Sequence, residues 1–342
     1  MKVAILYGKE RLRIEERGIP VPGEGEVLVR IKAALTCGTD AKVYLRGGHP
    51  RMITPPSPFG HEFSGEIVKV GEKVDRWKEG MKVMAVNSAP CFSCYHCKRE
   101  EYSLCEDLLF LNGAYAEYIL IPERIAKYNL YPLPDSLSFA EGAFLEPFAC
   151  VLHGIEKIGI KAGDWVSVIG CGPIGLLFLL ILKAKGTRVI MIDKIPARRE
   201  KAKKLGADLV LTGEEGLEQE VKNITPRRKG VDISIEAVGN PFTWEQSIRL
   251  VRKGGKVLLF GGCAPGTSVT LDTHFLHYSE ITIKGVFHHT PPIVRRAYGI
   301  LRDRIIDVQP LITEKLPLED LGKALQNMLK KRGIKTAIMP GT

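Results

Sequence analysis

The sequence predicts an α/β protein in two parts: a β-rich first part, and a second part built on a doubly wound parallel sheet. Three observations carry this. The first third is rich in Val, Ile, Gly and Pro, with short apolar stretches ended by turn residues. From about residue 160, strand-like and helix-like segments alternate. The strands of that second part are almost continuously apolar, as expected of a parallel sheet covered on both faces.

Taken in order, EVLVRIKAA (26–34), EFSGEIVKVG (62–71) and MKVMAV (81–86) read as strands, and AYAEYILIP (114–122) alternates like another. Helical periodicity is weak before about residue 138. Two helical runs then appear in SFAEGAFLEPFACVLHGIEKIGI (138–160), with Pro147 suited to a first turn. WVSVIG (165–170) reads as a buried strand. Helix 173–186, strand RVIMID (188–193), helix 196–206 and strand ADLVL (207–211) follow. VDISIEAVG (231–239), helix 241–253 and GKVLLFGG (255–262) continue the alternation, and ITIKGVF (281–287) adds one more strand. The tail is mixed, ends in AIMP (337–340), and is expected to pack back on the first part. The expected domains are 1–145, 146–285 and a returning segment 286–342.

A chain of 342 residues fits two domains, and 45% hydrophobic with 26% charged residues is ordinary for a globular core. The longest apolar run, Ile174 to Leu182, has nine residues, against about 20 for a membrane span. The run Val3 to Tyr7 is too short for a signal peptide. We therefore expect a cytoplasmic protein with no membrane partner. The net charge is +10, yet the basic residues are scattered among 39 acids. The densest basic cluster, KIPARREKAKK (194–204), reads as an exposed helix face, which argues against a nucleic-acid partner.

Two motifs carry chemistry. VSVIGCGPIGLL holds Gly170, Gly172 and Gly175 as G-x-G-x-x-G, directly after a strand and opening a helix, with Asp193 at the end of the next strand. Gly170 would make the tight turn, Gly172 would let a pyrophosphate approach the backbone, and Gly175 would let helix and strand pack closely. Asp193 would accept hydrogen bonds from the ribose hydroxyls and repel a 2′-phosphate, favouring NAD over NADP. Lys194, Arg198 and Arg199 soften that preference. The second motif is CFSCYHCKREEYSLC, with Cys91, Cys94, Cys97 and Cys105 inside fifteen residues. Without a secretory signal, clustered cysteines point to metal rather than disulfides. Four thiolates close a tetrahedral zinc shell and leave no open position, so this site is expected to be structural. The competing reading, a zinc ribbon that binds nucleic acid, does not need the dinucleotide loop.

Three further segments each place a potential metal ligand beside turn residues: TCGTD (36–40) with Cys37, PFGHEFSGEI (58–67) with His61 and Glu62, and FLEPFAC (144–150) with Glu146. Each has an ordinary alternative. Cys37 suits a small core position, His61 a hydrogen-bonded turn, and Glu146 a helix cap.

Taken together, Cys37-Gly38-Thr39-Asp40, Gly60-His61-Glu62, the four-cysteine loop, Glu146-Pro147 and the Gly170–Gly175 loop with Asp193 resemble the zinc-dependent medium-chain dehydrogenases. Within them the chain resembles the sorbitol (polyol) dehydrogenase branch, over essentially its whole length. The resemblance implies a GroES-like catalytic domain and a Rossmann cofactor domain, two zinc ions per chain, NAD, and a homo-oligomer, either tetramer or dimer. It implies a catalytic zinc held by Cys37 and His61 with a carboxylate from Glu62 or Glu146, which trade places with water and substrate. Thr39 matches the family's proton relay, and His49 is a candidate further relay. The resemblance also places cofactor contacts at Pro173, Ile174, Arg198, Val238, Gly239, Phe260, Gly261, Gly262, Val286, Phe287 and His288. The implied reaction is reversible NAD-linked oxidation of a polyol to a ketose. Threonine 3-dehydrogenase, which shares the C-G-T-D start, and a general secondary-alcohol dehydrogenase are the alternatives. The sorbitol pattern has V-F-R-Y where this chain has Val286-Phe287-His288-His289, and a tyrosine expected near Thr39 is Val43, with Tyr44 beside it. These departures put sorbitol itself in doubt.

Overall fold

The computed structural model describes residues 1–49 and 51–341. The chain forms two compact units, Met1–Ala149 with His289–Thr342, and Cys150–His288.

In the first unit the strand Val27–Leu35 is the spine of a seven-stranded sheet. It pairs antiparallel with Glu62–Val70, with Tyr118–Ile121 and, at its far end, with Lys335–Met339. The strand Lys335–Met339 in turn runs parallel to Ile312–Pro317. Register matters here, because Leu35 lies opposite both Glu62 and Ala337. Three segments far apart in sequence therefore meet at one strand end, just before Cys37. A second sheet of Arg11–Glu16, Lys2–Gly8 and Ser57–Pro58 contributes Val3, Ala4, Ile5 and Leu6 to the same core. Helix Pro291–Arg302 buries Ile293, Val294, Ala297 and Leu301, the stripe expected of a surface helix.

A helix covers Gly38–Arg46, where the periodicity predicts none. It is fixed by its ends rather than by an apolar stripe. Cys37 is the N-cap, with its sulfur accepting the Thr39 N–H, and the Asp40 carboxylate accepts the Cys37 N–H in return. Gly47 ends the helix in the left-handed conformation at φ 85°. Only Asp40 and Val43 are buried along it, which is too narrow a stripe to read from sequence.

The second unit is a six-stranded, all-parallel sheet. Its order is Leu209–Leu211, Arg188–Ile192, Trp165–Ile169, Val231–Glu236, Val251–Leu259 and Thr282–Gly285. The first strand in sequence, Trp165–Ile169, lies between the second and the fourth. The chain direction across the sheet reverses there, and a crevice opens at the carboxyl ends of Trp165–Ile169 and Val231–Glu236. Helix Pro173–Ala184 is apolar all round and buries Gly175 through Leu179, Ile181 and Leu182. The expected helix 241–253 is shorter, Pro241–Arg249. Val251 already pairs with Val231 in the sheet, and a register shift follows before Lys256 meets Ile233. Strand pairing of a buried Val overrides the local helical pattern. No described helix is long and apolar enough to cross a membrane.

Candidate metal centres and nucleotide loop

Ligand atoms of Cys37, His61 and Glu62 lie within 4.8 Å of one another in the first unit. Backbone geometry brings them there. His61 follows Gly60, whose φ of 87° and 2.7 Å clearance from the Tyr115 ring leave no room for a side chain. His61 is buried, and its Nδ1 stands 3.3 Å from Asp40 Oδ1, a close electrostatic contact in which neither atom has an aligned hydrogen-bond partner among the described residues. The other Asp40 oxygen accepts the Cys37 N–H and the Tyr115 hydroxyl, whose oxygen is also 3.1 Å from the Leu35 carbonyl. A carboxylate behind a histidine fixes the ring and its tautomer, leaving the far nitrogen for a metal. Burial disfavours a charged His61, but Asp40 and Cys37 outweigh it and hold the ring well above its usual pKa. A field that favours a proton on this ring equally favours a metal cation in front of it.

Glu62 is fully buried and pairs with Lys335, itself 1% exposed. Burial pushes the Glu62 carboxyl up to about 7, with Glu146 adding to the rise and Lys335 opposing it. Glu62 Oε1 has no hydrogen-bond partner among the described residues, as suits an oxygen kept for a metal. Glu146 lies in the first turn of Leu145–Ile158 and is buried. Its charge reaches Glu62 and Lys335, but its carboxylate falls within 4.8 Å of a His289 ring nitrogen rather than in the Cys37 group. Thr39 is half-buried beside Cys37. His49 uses Nδ1 to accept the Arg51 and Met52 N–H groups, each at 3.2 Å, so that nitrogen serves the loop. Sequence reasoning assigned no role to Asp40, Tyr115, Lys335 or His289. Asp40 left a signal as an acid three residues after Cys37, and His289 as a departure from the sorbitol pattern.

The four sulfurs of the second centre also converge. Cys91–Cys97 and Cys94–Cys105 are 3.9 Å apart and Cys91–Cys105 is 3.5 Å. Zinc–sulfur bonds of about 2.3 Å in a tetrahedron require sulfurs about 3.8 Å apart, so the residues fit a closed zinc site. None of the four is in a disulfide. Backbone N–H groups of Cys91, Ser93 and Cys94 point at ligand sulfurs, as thiolates require.

In the second unit Gly170 has φ 104°, and a Cβ there would lie 2.9 Å from Val238. A Cβ on Gly175 would sit 1.7 Å from the Gly170 carbonyl oxygen, so helix and loop touch through bare backbone. Pro173 at the first helical position and an N-cap Gly172 without a side-chain cap leave the helix N-terminus open to an anion. Asp193 accepts the Cys171 and Ile195 N–H groups, each at 2.8 Å, which fixes its carboxylate at the loop. Arg199 is committed to the Asp193 and Lys194 carbonyls. The Arg198 guanidinium lies 3.6 Å from where a Gly172 Cβ would stand, and its Nε has no partner among the described residues. Glu236 ties the Val238 and Gly239 N–H groups and the Thr243 hydroxyl into the turn across the crevice. The Phe260 and Gly261 N–H groups bond the Glu236 carbonyl. Ile174 lies in the first turn of helix Pro173–Ala184, Gly262 follows the strand Val251–Leu259, and Val286, Phe287 and His288 follow the edge strand. The His288 carbonyl accepts from buried His153 at 2.8 Å. Together these backbone groups form a cradle that fits a dinucleotide.

The alcohol dehydrogenase GroES-like domain matches residues 23–135, and the zinc-binding dehydrogenase domain matches residues 173–301. Sorbitol dehydrogenase of Bacillus subtilis is 32% identical, over 99% of this chain and 97% of its own. L-threonine 3-dehydrogenase of Bacillus licheniformis is also 32% identical, over 94% of each. Among solved structures, 2R,3R-butanediol dehydrogenase from Bacillus subtilis has 30% identity, a TM-score of 0.88 and 99% coverage of both chains. A chain from Sinorhizobium meliloti 1021, described as a zinc-binding dehydrogenase and solved bound to NADP, has 29% identity, a TM-score of 0.90 and 99% coverage of both.

Proposed function

The chain belongs to the zinc-dependent medium-chain dehydrogenases, in their sorbitol-dehydrogenase-like branch, and we propose that within that family it oxidises a polyol to a ketose with NAD. It is a zinc-containing, NAD(P)-dependent oxidoreductase of the alcohol dehydrogenase type. The observation that carries the finer reading is the cluster of half-buried Cys37 with buried His61 and Glu62, with a second carboxylate, Glu146, close enough to raise Glu62. A carboxylate in the ligand group, with a second whose charge reaches it, resembles the polyol branch rather than a cysteine-rich alcohol site.

When bound, zinc would acidify a substrate hydroxyl or polarise a carbonyl, and the nicotinamide would carry the hydride. Cys37 and His61 would hold the metal, completed by Glu62 or Glu146. Asp40, 3.3 Å behind the ring, would hold His61 in the orientation and tautomer that ligation needs once a metal draws on the far nitrogen. Thr39 Oγ1 would take the hydroxyl proton and pass it outward. Lys335 holds Glu62 from behind and compensates its charge in a site that excludes water. The Gly170–Gly175 loop would receive the pyrophosphate and Asp193 the adenosine ribose.

Initial rates of NADH formation test this, with mannitol, sorbitol, xylitol, galactitol, threonine, butanediol and simple alcohols, before and after chelation. Chelator-sensitive turnover of one or two polyols is the expected result. Turnover of threonine alone would favour the second reading, a threonine 3-dehydrogenase, which the equal 32% identity to such a relative supports. For the cofactor, Asp193→Ser should raise the KM for NAD about tenfold or more, through loss of charge-assisted hydrogen bonds, and should improve use of NADP. An unchanged NAD/NADP ratio would reject the assignment of Asp193.

A further inference from the structure

A cavity of about 320 Å³ lies in the first unit, beside the four-cysteine lobe and outside both metal clusters. Three cations line it, Arg76, Lys127 and Arg295, and no acidic residue does. None of the three forms an ion pair among the described residues. Like charges gathered around one opening without a carboxylate repel one another, and an anion relieves that repulsion. The helix Pro291–Arg302 begins at the cavity with an N-cap, Thr290, that makes no side-chain cap bond. Pro291 and Pro292 carry no N–H, so the helix adds only the positive end of its dipole to the field and no donor.

The other wall is aromatic. The Phe92 and Tyr128 rings lie 4.2 Å apart between centroids, and both face the cavity. Tyr131, 7% exposed, forms a rigid floor by stacking on Tyr298 at 4.8 Å. Phe92 has φ 63°, a backbone conformation that a bulky residue rarely adopts. It is held there between Cys91 and Cys94, so the metal lobe fixes the position of the aromatic wall.

We propose that this cavity is a second ligand site, for a planar ring carrying a phosphate monoester, such as an aryl or nucleoside monophosphate. Arginine forks match phosphate oxygens, and ring faces take a planar group. The volume suits a small ligand of that kind. The phosphate lies toward Arg76 and Arg295, and the ring lies against Phe92 and Tyr128.

Calorimetric titration of the zinc-loaded full chain tests the proposal, at low ionic strength and saturated with NADH so that the nucleotide crevice is filled. The probes are inorganic phosphate and phenyl phosphate. Phenyl phosphate should bind at one site per chain, about tenfold tighter than phosphate, as one ring contact of about 1.4 kcal/mol gives. Arg295→Gln should weaken both ligands by about tenfold or more, and Arg76→Gln serves as an independent variant should the first fold poorly. Tyr128→Ala should bring phenyl phosphate to the affinity of phosphate while leaving phosphate unchanged. Equal affinities for the two probes in the unsubstituted protein would overturn the proposal. So would binding that neither arginine substitution alters, or no binding of either probe.

Discussion

Two sulfur-bearing centres sit in the same unit and are built in opposite ways. The four-cysteine lobe draws every ligand from fifteen consecutive residues, with Cys91 and Cys94 half-buried and Cys97 and Cys105 buried. The Cys37 centre draws ligands from segments joined only by sheet register, and it buries two carboxylates, a histidine and a lysine. In the lobe, four like ligands satisfy the metal and leave nothing for substrate. In the Cys37 centre, unlike ligands and an imperfectly satisfied carboxylate leave reactive capacity. The difference teaches that closure belongs to local sequence and reactivity to long-range assembly. A site held by one loop can be stable alone, whereas a site held by a whole sheet can carry uncompensated polarity.

The strongest way to break this comparison is Cys37→Ala. Activity should fall about a thousandfold or more, the loss of roughly 4 kcal/mol of metal-derived stabilisation. Metal analysis should drop from two zinc ions per chain to one, and the melting temperature should change little. Joint loss of both ions would mean that the centres are not independent. Next is Lys335→Met, which strands Glu62 without its counter-charge. Removing one partner of a buried pair should cost about 3–5 kcal/mol of stability, read by denaturant unfolding. Adding Glu62→Gln should recover much of the loss, and a double variant as unstable as the single would reject the pairing.

Cys97→Ser tests the other side. It should release the lobe zinc and lower the melting temperature by about 10 °C, the equivalent of roughly 3 kcal/mol. The turnover number of the remaining folded enzyme should stay within about twofold, since no reacting group is touched. A turnover number that falls with the zinc would join the lobe to the chemistry. The smallest effect belongs to Asp40→Asn. It should weaken zinc retention at the Cys37 centre about 10–100-fold through the lost orientation of His61, measured by competition with a chelator. The lobe zinc should be indifferent to the change.

The same contrast explains what was legible. The lobe and the glycine loop could be read because each is a short run whose residue types and spacing state the chemistry. The parallel sheet was legible because its strands are continuously apolar. Cys37, His61 and Glu146 were visible only as candidates, and it took a family resemblance to join them. Lys335 was not legible. A lysine at the head of KTAIM looks like an exposed strand end, and only its register against Leu35 and Glu62 makes it a buried counter-ion. Tyr115 stayed hidden because its hydroxyl reaches Asp40 across 75 positions of sequence, and His289 was visible only as a departure from the sorbitol pattern. Helix Gly38–Arg46 was missed because caps rather than periodicity define it. The end of Pro241–Arg249 was misplaced because sheet pairing at Val251 decides it.

The ion pair between Glu62 and Lys335 has a consequence for biosynthesis. The two residues are separated by 273 positions. At roughly 5–20 residues per second the carboxylate emerges from the ribosome about 14–55 seconds before its cation. Through that interval Glu62 lacks the lysine that balances it in the finished fold. The strand Lys335–Met339 is therefore the closing piece of the metal chamber. The first unit can collapse around its apolar core while nascent, but its reactive pocket is finished only when that late strand is laid against Val27–Leu35.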